Sequence, residues 1–177
     1  MSAVAGRRRV PVWLGIGVVV LAAVGGGGTW LLRDELFHPL GDARACDGSD
    51  LRLPGVIDAG GATLPADASD IHYLTRNGSV EVTFLSRRTP DYLRRAGILP
   101  EGKALFDQKY GTKGEAGNVD DEIALPDGLC GTSLRVPVWE YHSTAADGTS
   151  VDVTVERSTL FQDALRSPAR AVVTFTS

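Results

Sequence analysis

The chain has 177 residues, of which 43% are hydrophobic and 23% are charged, a composition typical of folded proteins rather than disordered ones. This length allows one domain of ordinary size beside a short terminal segment. The formal net charge of −4 argues against the basic surface that nucleic-acid binding requires, so we expect no nucleic-acid partner.

The N-terminal segment has the form of a membrane anchor. Residues 1–9 contain three consecutive arginines, and residues 10–32 follow without a charged side chain. A helix of that length rises about 34 Å, which is enough to cross a hydrocarbon core of ~30 Å. Because basic residues stay on the cytoplasmic side of a membrane, we predict a cytoplasmic N-terminus at 1–9 and a transmembrane helix at 10–32. Residues 10–177 carry a net charge of −7 and include everything placed outside the cell.

A cleaved signal peptide is the alternative, since it shares the basic start, the apolar stretch and the small residues. Residues 23–25 match a cleavage site weakly. The apolar run nevertheless resumes at residues 30–32, which a cleaved peptide would not need. We therefore predict a retained single-pass anchor in the cell membrane, with the C-terminal part outside.

The part outside the membrane divides into an arm and a domain. Residues 33–66 are rich in glycine, aspartate and alanine and lack periodicity, which indicates a juxtamembrane arm. Residues 67–177 contain the regular patterns and are predicted to form an extracytoplasmic α+β domain.

A hairpin and a helix begin this domain. Asn77-Gly78 separates strand-like runs at 71–76 and 79–85, and Asn-Gly is typical of a tight hairpin turn because both positions need positive φ. Thr89-Pro90-Asp91 then supplies a helix N-cap, a proline at the first helical position and an early acid. Gly97 is placed to end that helix.

The second half of the domain has further strand-like runs at 134–142, 150–156 and 171–176. Pro137 indicates that the first of these runs is an edge strand or is bulged. A short second helix is expected at 158–165. The fold class is therefore α+β: a mostly antiparallel sheet with one or two helices on one face, preceded by a single N-terminal transmembrane helix.

Cys46 and Cys130 are the only cysteines, and both follow the predicted anchor. An even number of cysteines in an oxidising exterior favours one disulfide, which would tie the arm to the loop before the strand at 134–142. Two free thiols or a redox pair are the alternatives, although no C-x-x-C motif is present.

Two sets of residues are candidates for binding. Residues 100–129 are weakly periodic, and long irregular segments of this kind are often functional, so Lys109, Tyr110 and Lys113 are a candidate binding loop. An insertion without fixed structure is the alternative. Trp139 and Tyr141 alternate along a predicted strand and form a candidate aromatic patch for a protein or glycan partner, with core positions as the alternative.

The chain lacks a recognised catalytic or metal-binding motif. Its three histidines do not form an H-E-x-x-H pair, and no G-x-S-x-G sequence is present. Residues 97–104 nearly match a phosphate-binding loop but lack its final hydroxyl residue and the preceding strand. We expect no cofactor, metal or catalytic residue, and His72 or His142 acting as a base is the alternative.

Three stretches resemble small membrane-anchored or lipoprotein-like exported proteins of actinobacteria. These are LPADASDIHY at 64–73 with the VEVTF strand after it, YLRRAGI at 92–98, and SPAR at 167–170 before the last strand. The resemblance covers residues 64–98 and 167–176. It implies a cell-envelope location and an α+β architecture, and it implies no activity.

We therefore expect a single-pass membrane-anchored extracytoplasmic protein of the bacterial cell envelope, with a non-catalytic domain that binds an envelope protein or a glycan. The alternatives are an extracytoplasmic hydrolase and a small-molecule sensor. A hydrolase would place a histidine in a cleft beside a carboxylate. A sensor would close residues 100–129 over an apolar cavity.

Overall fold

The structure is a computed structural model that describes residues 41–52, 62–114, 121–144 and 148–176. Within these ranges the chain forms eight strands and one helix. In chain order they are β1 (Ser69–Arg76), β2 (Ser79–Ser86), α1 (Thr89–Arg95), β3 (Gly111–Lys113), β4 (Glu122–Ile123), β5 (Leu134–Arg135), β6 (Val138–Thr144), β7 (Ser150–Glu156) and β8 (Ala169–Thr176).

Six strands form one sheet in the order β1-β2-β8-β7-β6-β3, and all neighbours in it are antiparallel. Strands β4 and β5 form a separate antiparallel pair. The prediction of a mostly antiparallel α+β fold is confirmed at this level. Among the described residues, no helix is long and apolar enough to span a membrane. The predicted cytoplasmic segment 1–9 and transmembrane helix 10–32 lie outside the described residues.

The hairpin predicted at Asn77-Gly78 is present between β1 and β2. The φ angles of these two residues are 53° and 79°, and Arg76 pairs directly with Ser79. Positive φ at both turn positions defines a type I′ turn, whose twist matches that of the flanking strands.

Helix α1 begins one residue earlier than predicted, at Thr89, so Thr89 is its first helical residue and not its N-cap. The end of the helix is as predicted, since Gly97 has a φ of 70°. The N–H of Gly97 donates to Arg94 and the N–H of Ile98 donates to Leu93, both at 3.0 Å. These two hydrogen bonds form a Schellman motif, which satisfies carbonyls that a helix end would otherwise leave free.

The larger core lies on one face of the sheet, called here the helix face. The strand registers align five buried side chains in one row across five strands: Tyr73, Val82, Val173, Val153 and Tyr141. Helix α1 covers this face, and its Tyr92 meets Phe84 of β2 edge to face, with the ring centroids 5.5 Å apart.

The opposite face, called here the loop face, carries a smaller core. Segments around the two cysteines cover part of it, and its buried members are Cys46, Leu74, Leu129, Leu134, Val138 and Val172. The polar side chains of β2, β7 and β8 also lie on this face, because side chains alternate along each strand.

The arm runs along the outer edge of β1. The N–H of Cys46 donates to the carbonyl of Tyr73 at 2.8 Å, and the N–H of Tyr73 donates to Arg44 at 2.9 Å. Further along, the N–H of Asp50 donates to Thr75 at 3.0 Å. Residues 44–50 thus form hydrogen bonds with backbone groups of β1 that would otherwise be exposed at the edge of the sheet.

The second helix expected at 158–165 is not formed, and that prediction is wrong. The hydroxyl of Ser158 accepts hydrogen bonds from the N–H groups of Leu160 and Phe161, both at 3.1 Å. A β-bridge between Arg157 and Leu165 closes the segment as a turn. The bridge brings the two ends of the segment together, whereas a helix over the same residues would hold them about 10 Å apart. Leu160 and Phe161 consequently lie exposed.

Pro137 divides the strand predicted at 134–142 into β5 and β6. Proline has no N–H to donate to a sheet, so it lies at an interruption. Strand β6 is not an edge strand, since β7 and β3 flank it on either side.

Candidate functional site

The disulfide predicted between Cys46 and Cys130 is present, with the two Cα atoms 5.4 Å apart. It joins the arm to the segment before β5 across a sequence separation of 84 residues. Cys46 is buried and Cys130 is exposed. The bond therefore fixes the segment that carries Thr132 and Ser133 against the loop face.

A bulge in β1 places Asp70 between several polar groups. The pairing of β1 with β2 shifts between Ser69 and His72, and Asp70 has a φ of 48°. Its Oδ2 accepts hydrogen bonds from Nη2 of Arg170 at 2.6 Å and from the hydroxyl of Thr132 at 3.4 Å. The Arg170 guanidinium, together with His72, holds the pKa of the Asp70 carboxyl below its usual range.

His72 is engaged at both ring nitrogens. Its Nε2 lies 3.0 Å from Oδ1 of Asp70, and its Nδ1 lies 3.7 Å from Sγ of Cys130. That sulfur is held in the disulfide and is not available as a nucleophile. A general base needs a ring nitrogen directed at the proton it removes. His72 therefore serves as a contact between the carboxylate and the disulfide.

His142 forms a cross-strand pair with Asp152, with Nδ1 and Oδ1 2.7 Å apart. Both side chains are at least half exposed, on the loop face of β6 and β7. This arrangement is typical of a surface ion pair. Neither His72 nor His142 lines the two cavities described next.

A cavity of about 300 Å³ lies at one end of the loop face. It is called here the arginine cavity. Its lining comes from β2, the segment leading into β5 and β5 itself, the end of β7, and the segment leading into β8 with the start of β8. The lining residues are Leu85, Thr132, Ser133, Arg135, Glu156, Arg166, Ser167, Pro168 and Arg170. Leu85 and Arg170 are direct partners across β2 and β8, so sheet register places them together.

Glu156 organises the arginines around this cavity. It is 3% exposed, and its carboxylate accepts the backbone N–H of Arg135 at 2.8 Å and that of Arg170 at 3.3 Å. Nε of Arg166 lies 3.6 Å from the same carboxylate. Three arginines and one glutamate line the cavity, which gives the lining a net charge of +2. A buried carboxylate held in this way is paired and fixes the positions of its partners.

One buried arginine donor of the cavity has no hydrogen-bond partner among the described residues. The Arg170 side chain is 7% exposed, yet its Nη1 makes no hydrogen bond there. Nε of Arg166 makes no hydrogen bond and instead lies in an ion pair with Glu156 at 3.6 Å. A buried donor without a partner costs about 1–3 kcal/mol, so such groups are few in folded proteins. The Arg170 guanidinium is therefore suited to a ligand that brings acceptor oxygens.

A second cavity, of about 230 Å³, shares Leu85 and Pro168 with the first. Asp67 is its acidic member, and its carboxylate already accepts the Ser86 hydroxyl at 2.6 Å and the N–H of Arg87 at 3.0 Å. The Ser86 hydrogen bond, more than any other group, lowers the pKa of the Asp67 carboxyl. Because the polar groups here satisfy one another, the arginine cavity is the better candidate site.

Sequence analysis did not single out Arg135, Glu156, Arg166 or Arg170. Two signals were available: Glu156 ends an alternating strand with a charge, and Arg170 interrupts an apolar run. Neither signal specifies a site without knowledge of which strands are neighbours.

The candidate binding loop lies elsewhere. Lys109 and Lys113 are exposed, while Tyr110 is half-buried against the helix-face core. Lys113 belongs to β3 and pairs with Trp139. None of the three lines either cavity, and a binding role for them stays a prediction.

Trp139 and Tyr141 do not form an aromatic patch on the surface, so that prediction is wrong, and both residues are core positions. Trp139 is 2% exposed and Tyr141 is fully buried. The Tyr141 hydroxyl donates to the carbonyl of Leu105 at 2.5 Å, and the Trp139 ring centroid lies 5.3 Å from that of Phe106. Strand alternation directs both side chains to the helix face, where residues 105–106 and the core cover them.

Within the described part of the chain, no group of three or more histidine, cysteine, aspartate and glutamate side chains is placed to hold a metal ion. Comparison of the chain with protein-family models, with curated proteins and with solved structures gives no match.

Proposed function

We propose that the chain is a single-pass membrane-anchored protein of the bacterial cell envelope whose extracytoplasmic domain binds a ligand or partner without catalysis. The observation that carries the binding role is the arginine cavity, which three arginines line and where Nη1 of the buried Arg170 has no hydrogen-bond partner among the described residues.

The proposed location rests on the sequence. Three arginines precede an uncharged apolar stretch at 10–32, and the two cysteines lie beyond it. The disulfide supports this proposal, because such bonds persist mainly in oxidising compartments. The resemblance to exported actinobacterial proteins is in agreement. Residues 10–32 are the proposed membrane contact.

A binding role accounts for the described polar groups better than a hydrolytic role does. His72 is held at both ring nitrogens, and Glu156 is buried with its oxygens engaged. A general base needs an acceptor directed at a reacting proton, whereas these groups hold their neighbours in place. A small molecule that enters the arginine cavity would make the protein a sensor or a carrier, and a bound envelope protein or glycan would make it an interaction subunit.

Protease accessibility in intact spheroplasts tests the location. With one epitope tag at each end of the full chain, we expect added protease to remove the C-terminal tag and to leave the N-terminal tag intact. A protected C-terminal tag would contradict the proposed orientation. Loss of residues 1–32 from the mature protein, measured by mass spectrometry, would contradict the anchor.

Site-directed photo-crosslinking in native membranes tests the binding role. A photoreactive residue at Ser133 lies at the arginine cavity, and one at Thr112 lies on an exposed part of β3 and is the control. We expect a defined adduct from position 133 and none from position 112. Adducts of equal yield from both positions, or none from either, would count against a binding site at the cavity.

A further inference from the structure

We propose that the arginine cavity binds the phosphate group of a small phosphorylated ligand, an inference that rests on the proposed function as a binding domain. Neither the sequence motifs nor the comparisons assign such a site. The 97–104 segment, which nearly matches a phosphate-binding loop, is not part of it.

Charge selects the ligand class. Arg135, Arg166 and Arg170 face a single acidic lining residue, Glu156. Counting Asp70, which holds Arg170 from outside the lining, still leaves the site net positive. An anion is therefore favoured over a neutral or cationic ligand.

The number of donors separates phosphate from carboxylate. One arginine satisfies a carboxylate through two parallel hydrogen bonds. This cavity has three arginines on three segments, β5, β8 and the stretch before β8, together with the hydroxyl side chain of Ser133. A phosphate presents three terminal oxygens and up to two negative charges, which matches donors that arrive from several directions.

The donors are also held in place before a ligand arrives. Asp70 fixes Nη2 of Arg170 at 2.6 Å, while Glu156 fixes the backbone of Arg135 and lies 3.6 Å from Nε of Arg166. Groups fixed by packing and hydrogen bonds lose little conformational freedom on binding. Nη1 of Arg170 has no hydrogen-bond partner among the described residues and is left for the ligand.

The size of the cavity limits the rest of the ligand. A volume of about 300 Å³ is at the small end of ligand sites. Leu85 and Pro168 supply an apolar wall on one side. The site thus suits a phosphate group with a small organic substituent.

Isothermal titration of the full chain in detergent with inorganic phosphate, at fixed ionic strength, tests the proposal. We expect saturable binding that Arg135→Gln and Arg166→Gln each weaken about tenfold. Arg135 is exposed, so we expect the melting temperature of Arg135→Gln to match that of the wild type. Lys103→Gln removes an exposed positive charge outside the lining and is the control, with unchanged binding expected.

Two outcomes would overturn the proposal. One is the absence of phosphate binding by the wild-type chain. The other is equal weakening by Lys103→Gln and Arg135→Gln, which would show that the overall charge and not the cavity is responsible. Acetate is titrated in parallel, and acetate binding as tight as phosphate binding would reject phosphate in favour of a carboxylate.

A soluble metabolite and a lipid headgroup can both supply the phosphate. Glycerol 3-phosphate represents the first source, and the full chain in phosphatidylcholine nanodiscs with added phosphatidic acid represents the second. Whichever of glycerol 3-phosphate and phosphatidic acid competes with inorganic phosphate for binding identifies the source of the phosphate group. The measurement does not depend on cellular location, so its failure is distinguishable from failure of the spheroplast experiment.

Discussion

Among single residues, Asp70 connects three side chains beside the candidate site. A φ of 48° is uncommon outside glycine, and aspartate is among the residues that tolerate it. The bulge turns its carboxylate toward Arg170, His72 and Thr132 at once. The residues on either side of Asp70 in the sequence predict a regular strand. The contacts of the Asp70 carboxylate depend on the bulge that interrupts that strand.

The lowered pKa of Asp70 makes the stability of the domain depend on acid. Because the folded state favours the ionised carboxyl, its contribution is present above the ordinary aspartate pKa of about 3.9 and is lost as the pH falls through the lower folded value. We expect the free energy of unfolding to fall below about pH 4, and to fall less steeply in Asp70→Asn. Urea unfolding at a series of pH values measures this. Asp163→Asn, an exposed aspartate, is the control, and an identical pH dependence in Asp70→Asn and the wild type would contradict the prediction.

Among the secondary-structure elements, β3 shows that a glycine can belong either to an irregular loop or to a strand packed closely on the core. The weak periodicity of residues 100–129 predicts an irregular segment and a candidate binding loop. In the structure Gly111 is buried, and a Cβ atom added there would overlap the indole of Trp139 and the carbonyl of Glu140. The glycine allows β3 to lie directly against a core tryptophan.

We expect Gly111→Ala to displace β3 from β6 and to destabilise the domain by about 1–3 kcal/mol, because the added methyl group has no room. Denaturant unfolding measures the loss, and Trp139 fluorescence reports the displacement. Thr112→Ala changes the next residue of the same strand, whose side chain is exposed. Equal effects of the two substitutions would show that close packing on Trp139 is not the cause.

At the scale of the whole molecule, the disulfide joins parts of the chain that the sheet does not. Residues 44–50 attach to β1 by backbone hydrogen bonds, and Cys46 then links them to Cys130 on the loop face. The same link fixes the segment that leads into the arginine cavity. Stability and the candidate site therefore share one covalent bond.

Replacing both cysteines by serine should lower the free energy of unfolding by roughly 4–5 kcal/mol in the chain-entropy model, since the closed loop spans 84 residues. We also expect faster hydrogen exchange at the amides of Tyr73 and Asp50, which join the arm to β1. The wild-type chain treated with a reductant is the matched comparison. Unchanged unfolding and exchange in both samples would mean that sheet pairing alone holds the arm.

Features that depend only on residues close together in the chain could be predicted before the fold was known. Asn77-Gly78 specified a turn because few residues accept positive φ, and Gly97 specified a helix end for the same reason. The pairing of Cys46 with Cys130 followed from their number. The prediction of a membrane anchor at 10–32 also rests on local pattern alone.

Features that depend on which strands are neighbours could be seen only in the folded chain. Alternation shows that Trp139 and Tyr141 share a face, but only the sheet order makes that face the buried one. Likewise, Arg135, Glu156 and Arg170 meet because β8 inserts between β2 and β7 while β5 is held over the loop face. Strand order arises from long-range packing and hydrogen bonding, which leave no periodic signal within any one segment, so the candidate site emerged only when the chain was folded.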